Sequence, residues 1–141
     1  MRMIFVLAAV LLAAEAVYAD DGVLTVLDHG VYRSGSEGPQ LLLQTDRIPA
    51  EVGTVFGLRV NGGVARELSY RWTFPQMTQP ETGRVWTEMS GTQSLAVGGA
   101  TPFFARFNHD WETVPGQWTL HLFDGDQLVV ERVFVVELTP D

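Results

Sequence analysis

Trp111-Glu112-Thr113-Val114-Pro115-Gly116-Gln117-Trp118-Thr119-Leu120-His121-Leu122-Phe123-Asp124-Gly125-Asp126 is the stretch whose reading decides the fold. Two tryptophans, several acids and a histidine lie close together in it, as they would in the wall of an active site. The spacing argues otherwise. Pro115-Gly116 marks a turn, and Trp118, Leu120 and Leu122 then alternate with polar Gln117, Thr119 and His121. A period of two is the signature of a half-buried strand. Asp124-Gly125 follows as a two-residue hairpin signal, since both residue types tolerate positive φ. The segment therefore reads as one strand held between two turns.

Outward from it the same period recurs, and helical periodicity is nearly absent. Val23 to Tyr32 is predicted as a strand, Arg33 to Gly38 as a loop, and Leu41 to Gln44 as a short edge segment. Thr54 to Val60 places Phe56, Leu58 and Val60 on one face and Arg59 on the other. Asn61-Gly62-Gly63 is a turn signal. Glu67 to Phe74 puts Leu68, Tyr70, Trp72 and Phe74 inward, with Ser69, Arg71 and Thr73 outward. Pro75 to Gly83 reads as a loop, and Arg84 to Met89 and Phe103 to Phe107 as strands. In Gln127 to Leu138, the residues Leu128, Val130, Phe134 and Val136 share a parity that Arg132 also occupies. Either a bulge at Arg132 shifts the register or Arg132 sits at the rim, and the bulge is preferred.

Gly116, Trp118 and Leu120 have the spacing of the corner before the sixth strand of immunoglobulin-type sandwiches, with leucine where cysteine is common. The expected fold is all-β: an immunoglobulin-like antiparallel β-sandwich of about seven strands, after an N-terminal signal peptide. Trp118 is expected to bury against Trp72 and to give its indole N–H to a backbone carbonyl, with Trp111 covering the corner.

The first nineteen residues read as an address. Arg2, the apolar run Met3 to Ala14, and small residues at Val17 and Ala19 form a secretory signal pattern, with cleavage before Asp20. That apolar run is shorter than the ~20 residues a bilayer requires. Residues 20–141 then make one β-sandwich domain, about 120 residues long. A domain of this size holds together through a single core. It has to do so without disulfides, because the chain contains no cysteine.

Seventeen acids stand against nine basic residues, all arginine, for a net charge of −8. No basic patch suggests nucleic acid or an anionic membrane as partner. Without cysteine or lysine, thiol and Schiff-base nucleophiles are excluded. His29, His109 and His121 match no compact metal-ligand spacing. Asp110, Glu112, Asp124 and Asp126 lack calcium-loop spacing; Asp124 reads as serving the turn and Asp110 as capping a loop. Glu81 with Glu88 or Glu112 is no more than any two acids among many, and no Gly-x-Ser-x-Gly elbow exists. No catalytic residue and no cofactor is assigned.

Four residues stand out as candidate surface contacts: Arg59, Arg71, Trp86 and Trp111. Asp46-Arg47-Ile48-Pro49 offers Asp46 as partner to Arg47, Arg59 or Arg71, and a salt bridge locking a strand crossing is favoured over a recognition surface. Trp86 marks a partner or glycan surface if it faces outward; if it faces inward, Val85 and Met89 are the exposed residues.

Gln44-Thr45-Asp46-Arg47-Ile48-Pro49-Ala50, Gly53 with Phe56-Gly57, Arg71-Trp72-Thr73-Phe74-Pro75, Pro80-Glu81-Thr82-Gly83 and Trp111 to Trp118 together resemble the bacterial domain-of-unknown-function family numbered 3859. The similarity runs from about Val26 to Val136. It implies no activity, cofactor or catalytic residue. Thr113 stands where that family usually has leucine, a swap expected to loosen the corner. The leading expectation is an exported, periplasmic or secreted, non-catalytic domain acting through contacts with an envelope or secreted protein. A small-ligand or glycan-binding module using Trp86 is the alternative, and an envelope enzyme comes third.

Overall fold

The computed structural model describes residues 16–19, 22–62 and 64–139. They form a sandwich of two five-stranded sheets. In chain order the strands are β1 (Ala16–Ala19), β2 (Gly22–Gly35), β3 (Gly38–Leu43), β4 (Arg47–Pro49), β5 (Val55–Asn61), β6 (Glu67–Thr78), β7 (Val85–Ser94), β8 (Thr101–Arg106), β9 (Gly116–Asp124) and β10 (Gln127–Glu137). The first sheet runs β1-β2-β5-β8, with β3 also paired to β2; the second runs β4-β10-β9-β6-β7. Pairing is antiparallel except for β4 on β10, which is parallel. Seven strands carry the sandwich, and β1, β3 and β4 are short additions. Among the described residues no helix is long and apolar enough to cross a membrane.

The core follows the alternation in the sequence. Phe56, Leu58 and Val60 from β5 meet Leu68, Trp72 and Phe74 from β6, and Trp118, Leu120 and Leu122 from β9. Trp118 is 2% exposed, and its indole N–H donates to the Val114 carbonyl at 2.9 Å. Its ring does not rest on Trp72. It stacks on Phe74 at 4.6 Å and meets Phe56 and Phe107 edge-on, while Trp72 meets Phe56 and Phe134. The ladder gives the reason: Trp72 lies opposite Leu120, so Trp118 falls one pair further on, beside Phe74. Phe56 sits between the two indoles. The Pro-Gly corner is tight as well. Gly116 has φ +130°, and a Cβ there would lie 2.7 Å from the Pro75 ring.

Several boundaries differ from the sequence reading. The stretch from Arg33 to Gly38 is mostly strand: β2 runs on to Gly35, turns at residues 36–37 and returns as β3. β6 continues through Pro75 to Thr78, because the ladder to β7 is irregular between Thr73 and Met77. An interruption of this kind is where a strand accommodates proline. The hairpin after β9 closes one residue later than its signal: Asp124 pairs with Gln127, leaving Gly125-Asp126 at the tip. The bulge in β10 lies between Leu128 and Val130, not at Arg132. It turns Leu128 outward, and Arg132 keeps the parity of Phe134 and Val136.

Residues 16–19, the end of the segment read as a signal peptide, pair with residues 22–25 of β2. The remainder of that segment, 1–15, lies outside the described residues.

Candidate interaction surfaces

Each sheet turns one face to solvent, and the sequence candidates divide between them. On the first sheet Asp28 lies opposite Arg59, and Gly30 opposite Gly57. Arg59 Nε donates to Asp28 Oδ1 at 2.9 Å, and its Nη2 to Oδ2 of the same carboxylate. Tyr32 completes the group, its hydroxyl donating to Asp28 Oδ1 at 2.6 Å. The Arg59 hydrogen bond holds the Asp28 carboxyl below its usual range, and the same bond raises Arg59. Burial, then the bond to Asp28, pushes the Tyr32 phenol up.

Tyr32 is only 2% exposed although it faces away from the core. Its ring lies 4.3 Å from that of Phe104. Their strands, β2 and β8, flank β5 and so stand about 9.6 Å apart at ordinary strand spacing. The rings meet above β5, where Gly57 carries no side chain. Gly57 adopts φ +150°, and a Cβ there would lie 2.1 Å from the Phe103 carbonyl oxygen. Arg59 is thus a bound component of a packed cluster. Asp46, its expected partner, is elsewhere.

Asp46 lies at the β4 edge with Arg132 and His29. Arg132 Nη1 donates to Asp46 Oδ1 at 3.4 Å, and His29 Nε2 lies 3.3 Å from the same oxygen. Arg47 turns instead to Glu137. Asp46 therefore pairs with neither Arg47, Arg59 nor Arg71, though the arrangement does lock a strand crossing: the Val135 N–H donates to the Asp46 carbonyl at 2.7 Å. Burial, reinforced by nearby Arg132, depresses the His29 pKa despite the carboxylate beside it.

On the second sheet the outer face forms a grid. Ser90, Arg71, His121 and Glu131 align across β7, β6, β9 and β10. Glu88, Thr73, Thr119 and Val133 form the next row. His121 Nε2 lies 3.0 Å from Glu131 Oε2. The Arg71 guanidinium sits 5.2 Å from the Phe123 ring centroid and has no carboxylate partner among the described residues. Its Nε is buried without a hydrogen bond. Leu128, Val133 and Val135 are 47%, 41% and 39% exposed on this face. The sequence reading did not single out Phe123, Val133 or Val135. Their signal was present: each takes the parity opposite to a buried neighbour, Leu122, Phe134 or Val136.

Neither tryptophan candidate is an open platform. Trp86 is half-buried against the core, with Arg84 3.9 Å from its ring centroid, and Val85 and Met89 are the exposed large hydrophobic residues of that strand. Trp111 packs on the core from a short 3-10 turn at Asp110–Glu112 and stacks with His109. Glu112, not Asp110, caps this turn, its carboxylate accepting the N–H groups of Asn108 and His109 at 2.6 and 2.9 Å. The Thr113 hydroxyl donates to the Asp110 carbonyl at 2.7 Å. Asp124 is held by Arg66 at 2.8 Å. Among the described residues no three histidine or acidic side chains gather as a metal-binding group.

No curated protein matches the chain. A solved structure described as an immunoglobulin-like protein from Pseudomonas aeruginosa is similar: 25% identical, TM-score 0.70, over 88% of this chain and 98% of that one. The family model described as domain of unknown function (DUF3859) matches residues 28–136, and the chain belongs to that family.

Proposed function

We infer that the chain is an exported, non-catalytic immunoglobulin-like module that docks onto another protein of the cell envelope or the secreted fraction. One observation carries the reading. The outer face of the second sheet combines exposed Leu128, Val133 and Val135 with half-buried Phe123, bordered by the Arg71 stack and the Arg47–Glu137 pair. Apolar groups within a charged rim are the anatomy of a protein contact. On the first sheet the Arg59 guanidinium is already engaged by Asp28. The glycan alternative loses support because Trp86 and Trp111 each have a ring packed by a neighbouring side chain.

Export rests on the signal pattern of residues 1–19. Cleavage there would remove β1, which is paired with β2. N-terminal sequencing of the chain recovered from the envelope or medium is expected to begin at Asp20; a chain retained in the cytoplasm sinks this part. Docking is tested by photo-crosslinking in cells. A crosslinking residue at Val133 is expected to give a discrete protein adduct, and one at exposed Arg33 on the other sheet to give none. Adducts from Trp86 or Trp111 with none from Val133 would overturn the reading.

A further inference from the structure

A sheet edge exposes a row of unpaired N–H and C=O groups, and proteins blunt such edges with proline, charge or shortness. Three of the edges here follow that rule: β3 carries Pro39, β4 carries Pro49 and β8 carries Pro102. β1 is four residues long. β7 is different. It spans ten residues, Val85–Ser94, pairs with β6 alone, contains no proline, and has Glu88 as its one ionisable side chain. Its exposed Val85, Thr87 and Met89 have sound strand propensity or apolar surface.

We propose that β7 is a self-association edge, where a second copy of this chain adds its own β7 antiparallel to form one continuous ten-stranded sheet. A two-fold contact requires a self-complementary surface, and the outer-face grid supplies one. Arg71 and Glu88 occupy adjacent rows, and neither has an ionic partner among the described residues. A two-fold axis through Met89 sets Glu88 of one copy beside Ser90 of the other. Ser90 is the ladder partner of Arg71. Arg71 and the incoming Glu88 are then two strand spacings apart, about 9.6 Å between backbones, and Arg71 reaches the carboxylate across the small serine by leaving Phe123, which lies on β9 on the far side of β6 from the seam. The symmetry makes this pair twice. A chain with net charge −8 repels its own copies over most of its surface. This edge brings one carboxylate per copy to the seam and meets it with an arginine.

Sedimentation equilibrium of the mature chain over a range of concentrations tests the proposal. The wild type is expected to show a reversible monomer–dimer equilibrium. Glu88→Arg and Arg71→Glu are each expected to weaken it about tenfold or more, with far-UV circular dichroism unchanged. The double variant, with the charges exchanged, is expected to recover dimerisation, as a coupled pair does. A wild type that stays monomeric throughout would overturn the proposal. So would dimers indifferent to Glu88→Arg, or a double variant no better than the singles.

Discussion

Arg59 and Arg71 look alike in the sequence: each is an outward arginine in the middle of an alternating strand. The fold treats them in opposite ways. Arg59 lies across the ladder from Asp28, and β2 brings a tyrosine hydroxyl to the same carboxylate. Arg71 lies between Ser90 and His121 and finds an aromatic ring. The identity of the cross-strand neighbour, not of the arginine, separates a structural clamp from an available cation. The first sheet's outer face has become a second small core, with Tyr32 buried over Gly57, while the second sheet's outer face leaves Leu128, Val133 and Val135 exposed.

The most direct way to break the contrast is at Gly57. Gly57→Ala forces a Cβ into the Phe103 carbonyl and a left-handed φ on alanine, so a loss of about 3 kcal/mol is expected in urea unfolding. A loss below about 1 kcal/mol would show that the first sheet's outer cluster is less tightly built than its geometry says.

Asp28→Ala comes next. It strips a part-buried guanidinium and a buried phenol of their acceptor, with an expected cost of about 2 kcal/mol. The matching change on the other face, Thr73→Ala, has no hydrogen-bonded network to lose and should stay within about 0.5 kcal/mol.

Acid sharpens the comparison further. Asp28 has a folded pKa below its ordinary value of 3.8. Its stabilisation is therefore complete above that value and is lost as pH falls below it toward the folded pKa, where the unfolded state binds the extra proton first. The Asp28→Ala variant, compared with wild type by thermal unfolding between about pH 5 and 2, should lack that part of the acid loss. Parallel curves for the two would contradict the assignment.

The smallest expected effect is at Arg71. Arg71→Ala removes a cation–π contact, so stability should change by no more than about 1 kcal/mol. Its consequence should appear in association instead. If Arg71→Ala destabilised the chain as much as Asp28→Ala, the contrast between clamp and available cation would fail.

The alternation of Phe56-Leu58-Val60, Leu68-Trp72-Phe74 and Trp118-Leu120-Leu122 made the inward faces legible, because a period of two admits one burial pattern per strand. The Pro-Gly corner and the Trp118 N–H bond were legible for the same local reason. The reading failed where two strands had to be aligned. The sequence alone points Trp118 at Trp72, but the offset of β6 against β9 is set by packing and places Trp118 beside Phe74. The parity of β10 alone suggests a bulge at Arg132, but its position between Leu128 and Val130 is fixed by the register against β9. The sequence leaves Asp46 a choice among Arg47, Arg59 and Arg71, whereas its neighbours in the fold, Arg132 and His29, are supplied by β10 and β2.

The sequence by itself determined that this is an all-β domain with a packed aromatic core, no disulfide and a surplus of negative charge. Those properties belong to residue types and their local period. Only the tertiary structure decided which arginine is spent on a carboxylate, which tryptophans are covered, and which strand edge is left unprotected. Those depend on register and sheet order, which arise from contacts between residues far apart in the chain.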